Sequence, residues 1–220
     1  MQRKSSMHLS IPTRAGSSML VCMTNLRAAS TPRMSEITKR TATLIDHIVD
    51  TASALFYREG TQSIGVDRII AETGVAKATM YRHFTGKDAL IAACLRRRHD
   101  NVLTALRDGL ARVRGDGRKR VLTVFELLYD KAESPDFRGC GFLLAVAENE
   151  GSDEVRAIAR HHKATVLALF AELLPAGIAK RDALAAQLNL LYDGAMAQIL
   201  IHRDPGPARI ARECARRLLA

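Results

Sequence analysis

Gly74-Val75-Ala76-Lys77-Ala78-Thr79-Met80-Tyr81-Arg82-His83-Phe84 is the stretch that fixes the fold. A glycine at the end of a helix accepts the left-handed backbone that stops it, and a second helix can begin a few residues later. Within that second helix Met80 and Phe84 are four apart, so they share one face and turn inward together with Val75. The remaining face collects Lys77, Thr79, Tyr81, Arg82 and His83: a hydroxyl, a phenol, an imidazole and two cations. Two short helices around a glycine turn, the second apolar on one side and hydroxyl-rich and basic on the other, match what a DNA major groove accepts.

Upstream, Gly65 can cap a helix over residues 66–73, with Ile64 and Ile69 spaced as a hydrophobic staple and Asp67 near the positive helix end. Before it, Leu44, Ile45, Ile48, Val49, Ala52, Leu55 and Phe56 form a stripe of helical period that predicts a first helix over 41–59, closed by Gly60. The helix-turn-helix therefore spans about residues 65–84. Downstream, Thr85-Gly86 breaks the chain and a long helix is expected from 87 toward 113, with Lys87 adding a cation at its first turn. Further helical patterns cover 119–131, 142–149, 153–174, 181–202 and 208–219, separated by Ser134-Pro135, Gly151, Pro175 to Gly177 and Pro205-Gly206-Pro207.

The composition agrees. Aromatics are 5% of the chain, Trp is absent, and no alternating Val/Ile/Thr run argues for a strand. The expected class is all-α. Residues 42–102 are expected to hold a three-helix DNA-binding domain and residues 103–220 a second helical domain. The net charge of +10 is concentrated in the first 40 residues, which hold seven Lys/Arg and one acid. Residues 1–37 show no helical period and read either as a phosphate-contacting arm or as a loose tail, with Met34 an alternative start. Cys22, Cys94, Cys140 and Cys214 have neither zinc nor disulfide spacing, and no apolar run reaches membrane-spanning length. A soluble protein of a reducing cytoplasm, without cofactor or metal, is expected.

The segment 42–102 resembles the N-terminal domain of the TetR/AcrR family of bacterial transcription regulators. Ala54-Leu55-Phe56, Gly60, Ile69, Gly74-Val75, Thr79-Met80-Tyr81, His83-Phe84, Lys87 and Leu90 carry the resemblance in register. It implies that the third helix enters the major groove and that Lys77, Thr79, Tyr81, His83 and Lys87 contact DNA; the Arg82 position varies in the family. Two positions depart from the family pattern. Ala76 stands where Ser or Thr usually caps the helix, a change worth about 1 kcal/mol, and Ile70 replaces a small Ala. A looser resemblance to the family's C-terminal domain rests on Phe137 to Leu144 with Glu148 and on Leu188 to Ala195.

The second half is expected to sense and to pair. One short helix reads too few base pairs for useful specificity, whereas a two-fold pair reads a palindromic operator. Leu169, Leu173, Leu188, Leu191 and Ala195, on the two long helices, are candidates for the seam of a homodimer. Phe125, Leu128, Tyr129, Phe142, Met196 and Ile199 are candidates to line an effector pocket, each with ordinary core as the alternative. Cys140, between two glycines, is a candidate thiol sensor or a small buried residue. His161 and His162 are adjacent, hence about 100° apart on a helix and poorly placed to share a metal.

Three function classes follow. A dimeric repressor released from double-stranded DNA by a small-molecule effector uses all of these features. An enzyme would need an acid/base pair, a phosphate loop, a nucleophile elbow or a metal motif, none of which the sequence contains. A sequence-indifferent binder would depend on the basic tail.

Overall fold

A computed structural model of the chain describes residues 34–220, so the expectations for the tail before Met34 and for Cys22 lie outside the described residues. The described residues form nine α-helices and no strand: α1 (Met34–Glu59), α2 (Val66–Thr73), α3 (Lys77–His83), α4 (Lys87–Ala111), α5 (Gly117–Ala132), α6 (Gly141–Glu148), α7 (Asp153–Leu173), α8 (Arg181–His202) and α9 (Gly206–Leu218). The all-helical class read from periodicity is the observed one. α1 begins before the expected residue 41. The added residues, Met-Ser-Glu-Ile-Thr-Lys-Arg, include several good helix formers.

Helix ends obey local chemistry. Gly74 adopts φ 67°, and its N–H donates to the Ile70 carbonyl. The Asp116 carboxylate accepts from the Lys119 N–H to start α5, and the Ser152 hydroxyl accepts from the Val155 N–H to start α7. Ala76 precedes α3 in extended conformation and supplies no side-chain cap.

Two apolar clusters organise the chain. In the first, Ile48, Ala52, Ile69, Met80, Leu90 and Ile91 from α1 to α4 are buried together with Phe142 and Ala145 of α6 and Val155 and Ala159 of α7. The three-helix reader therefore does not close its core alone. In the second, Phe125, Phe170 and Tyr192 meet with ring centroids 5.9 to 6.1 Å apart, surrounded by Val121, Leu128 and Leu188. Each buried aromatic of this kind contributes about 1.5 to 3 kcal/mol from area alone. α4 belongs to both clusters: Leu90, Ile91 and Leu95 pack in the first, Leu103, Leu106 and Leu110 in the second. The division expected at residue 102 falls inside this continuous helix.

Candidate nucleic-acid interface and ligand cavity

Met80 is 1% exposed and Phe84 8%, which pins the inner face of α3 against Ile69 and the α1 stripe. The outer face is thereby presented. Lys77, Tyr81 and Arg82 are exposed and Thr79 and His83 are half-buried. Tyr81 is among the exposed large apolar side chains of the surface, at 46%. Lys77 Nζ is paired with Asp67 Oδ1 at 2.9 Å, and this hydrogen bond raises the lysine pKa. Asp67, expected near the α2 dipole, thus also holds a candidate DNA contact in place across the turn. Lys87 Nζ donates to the Gln62 carbonyl at 3.5 Å, so the cation at the start of α4 is anchored to the α1–α2 turn.

That turn is gripped by α6. The Glu148 carboxylate accepts from the Thr61 N–H and, at 2.6 Å, from the Thr61 hydroxyl. Gln62 Nε2 donates to the Glu148 carbonyl at 2.8 Å and to Asn149 Oδ1 at 3.1 Å. At the other end of α6 the Arg138 N–H donates to the Tyr57 hydroxyl at 2.7 Å, and that hydroxyl donates to the Gly139 carbonyl at 3.1 Å. Both ends of one eight-residue helix are therefore tied to α1 and the loop after it.

The start of α6 also borders a cavity of about 480 Å³ between α4, α5, α7 and α8. Its apolar wall includes Val102, Leu106, Leu128, Phe142, Val166 and Met196; its polar groups include Tyr57, Arg98, Cys140, His162, Lys163 and Asp193. The size and the mixture suit a drug-sized molecule. Arg98 lies 3.9 Å over the Tyr57 ring, and burial lowers its pKa while it raises that of Tyr57. His162 stacks on Phe142 with centroids 3.8 Å apart, and burial followed by the Lys163 charge pushes its pKa down to about 3. Burial pulls Lys163 the same way. Cys140 and the Asp193 carboxylate, 2.5 Å away, outweigh that and raise it.

Of the six residues expected to line a pocket, Leu128, Phe142 and Met196 do so. Phe125 and Ile199 are fully within the second cluster, and Tyr129 lies under the Arg209 guanidinium at 4.0 Å. Cys140 lines the cavity. Among the expected seam residues, Leu173, Leu188 and Ala195 are buried in the protomer's own core, and Leu169 and Leu191 are partly buried against it. The large apolar side chains that do face outward on the last two helices are Leu190 (69%), Ile201 (69%), Ile210 (67%) and Leu218 (41%). Periodicity marks which residues are apolar but not which of two apolar stripes on one helix meets its own chain. Arg98, Tyr57 and Lys163 escaped the sequence reading; Arg98 was one of three consecutive arginines, Arg96 to Arg98.

Residues 48–94 match the model of the bacterial regulatory proteins of the tetR family. Among solved structures, SCO4454, a TetR-family transcriptional regulator of Streptomyces coelicolor, is 33% identical with a TM-score of 0.75, covering 84% of this chain and 93% of that one. The chain belongs to the TetR family of transcription regulators. Reduced NemR of E. coli shares the fold, with a TM-score of 0.71 at 23% identity over 80% of this chain and 97% of that one. The HTH-type transcriptional activator FasR of Mycolicibacterium smegmatis is 35% identical over 82 residues, and the match spans 37% of this chain and 37% of FasR. Family membership makes the chain a DNA-binding regulator rather than an enzyme, and places α2 and α3 as its helix-turn-helix. Among the described residues no helix is long and apolar enough to cross a membrane.

Proposed function

We propose that the protein is a dimeric repressor whose palindromic operator is released when a small molecule enters the α4–α8 cavity. The observation that carries this reading is α6: its first residues border the cavity and its last ones hold the turn that anchors Lys87. A ligand that moves the start of α6 relative to α4 shifts that turn and, with it, the spacing of two recognition helices. Such a ligand needs only differential affinity for the two arrangements. Lys77, Thr79, Tyr81, Arg82, His83 and Lys87 are proposed to face the DNA. Thr79 and Lys77 are near base edges at the helix start, and the others reach phosphates.

The dimer is proposed to form through the outer face of α8 and α9, where Leu190, Ile210 and Leu218 are exposed around a groove that includes Leu191, Gly194 and Cys214. A second copy is the occupant this reading requires, because a two-fold pair is what reads a palindrome. The face lies on helices packed in the second cluster, so pairing there leaves α3 uncovered.

Anisotropy titration of a fragment obtained by random-site selection tests the reading. Wild-type protein should retain a preferred sequence; Tyr81→Ala should weaken binding about tenfold or more, and Lys87→Ala should reduce the salt slope by about one phosphate contact. A wild-type protein with no preferred fragment would overturn it. An activator role, suggested by the name of FasR, is separated by a reporter: deleting the gene raises expression for a repressor and lowers it for an activator.

A further inference from the structure

The cavity contains a cation with no counter-charge. Arg98 comes off α4 into its wall, stacked on Tyr57 and pressed against the first residue of α6, where a Cβ on Gly141 would lie 3.0 Å from its Nε. It makes no ion pair among the described residues. The other charged lining groups do not supply one. Lys163 and Asp193 satisfy each other at 2.5 Å, and Lys131 and Asp136 provide one charge of each sign. His162 is buried and neutral, so the wall as a whole carries one positive charge more than negative.

Arg98 is half-buried with the Tyr57 ring against it; a guanidinium partly withdrawn from water and without an ion pair is under-compensated, and a carboxylate is the group that repairs this best, through two parallel N–H···O bonds. Around it the surface is hydrocarbon: Val102, Leu106, Leu128, Phe142, Val166 and Met196. We infer that the effector is an amphipathic monoanion, its carboxylate bound by Arg98 and its apolar body lying between α4, α5, α7 and α8. This rests on the reading of the cavity as the effector site. The assignment also explains how occupancy reaches the reader: the bound carboxylate sits where Arg98, Tyr57 and the start of α6 meet.

Three probes of one body and different heads, phenylbutanoate, phenylbutanamide and phenylbutylamine, test it by calorimetry on the full chain. The carboxylate should bind about tenfold or more tightly than the amide, with the amine weakest. Arg98→Met should erase the carboxylate's advantage and leave the amide unchanged, Arg98→Lys should keep part of it, and circular dichroism should show both variants folded. Equal binding of amide and carboxylate to the wild type, or an advantage that persists in Arg98→Met, overturns the anion assignment while leaving the cavity reading intact. Val102→Trp, which fills the cavity, should weaken all three. If none of the probes binds the wild type, or Val102→Trp changes nothing, the cavity reading fails along with the anion.

Discussion

Glu148 and Thr61, 87 positions apart in the chain, are joined twice, because one carboxylate accepts both the backbone N–H and the hydroxyl of the threonine. Gly60 makes the approach possible: it adopts φ +90°, and a Cβ there would stand 3.0 Å from the Glu148 carboxylate. Glu148→Ala should leave the Thr61 donors unpaired and cost about 1 to 3 kcal/mol of stability. Because the recognition surface itself is untouched, operator affinity without ligand should fall less than the ligand's ability to release DNA. Thermal melts and anisotropy titrations with and without the effector measure the two. A variant that responds to ligand like the wild type would remove α6 from the coupling.

If the proposed dimer forms through α8 and α9, Leu190→Asp, alone or with Ile210→Asp, should convert it to a monomer in sedimentation equilibrium. The substituted side chains are 69% and 67% exposed in the protomer, so its own fold should melt within a degree or two of the wild type. Operator affinity should drop sharply, since each half-site then binds alone. Leu188→Asp is the contrasting control: at 0% exposure it should unfold the protein rather than separate it.

Ala76→Ser should stabilise. The backbone before α3 already has the extended conformation of a capping residue, and no side chain uses it. A serine hydroxyl there should add about 1 kcal/mol in chemical denaturation and should not weaken DNA binding. A neutral or destabilising result would mean that the start of α3 is held by something other than its own hydrogen bonds.

His162 sets a pH dependence. Its folded pKa is pushed down to about 3 from an ordinary 6.5, so the native state keeps it neutral while the unfolded chain takes up a proton. Its contribution is fully present above pH 6.5 and is lost progressively as pH falls from 6.5 toward 3. The melting temperature should therefore decline by several degrees between pH 7 and 5. His162→Gln should flatten that decline, even if it lowers the melting point at neutral pH through loss of the stack on Phe142.

The helices and the reading head were legible because each carries its information locally. Gly74 needs a left-handed backbone, and Met80 and Phe84 need one face; the caps Asp116 and Ser152 are not singled out by the sequence and are seen only in the structure. The pocket was half legible: Leu128, Phe142 and Met196 are apolar residues near a gap, but nothing in the sequence distinguishes them from Phe125 or Ile199, which fill space instead. Arg98 could have been found. It stands between Leu95 and Val102 on the helical period, so the face that buries Leu95 carries the arginine inward and leaves Arg96 outside. The outer face of α8 stayed hidden because Leu188 and Leu190 are the same residue type and only the tertiary packing buries one and leaves the other exposed.

The shared first cluster has a practical meaning for hybrid regulators. Phe142, Ala145, Val155 and Ala159 seal the same apolar interior as Ile69 and Met80. A chimera spliced in the middle of α4 would strip the reading head of its lid and expose Phe142's neighbours to water. A donor swap that keeps its solubility would have to carry α6 and the opening turns of α7 along with the first four helices, transplanting two separated pieces of chain as one folding unit.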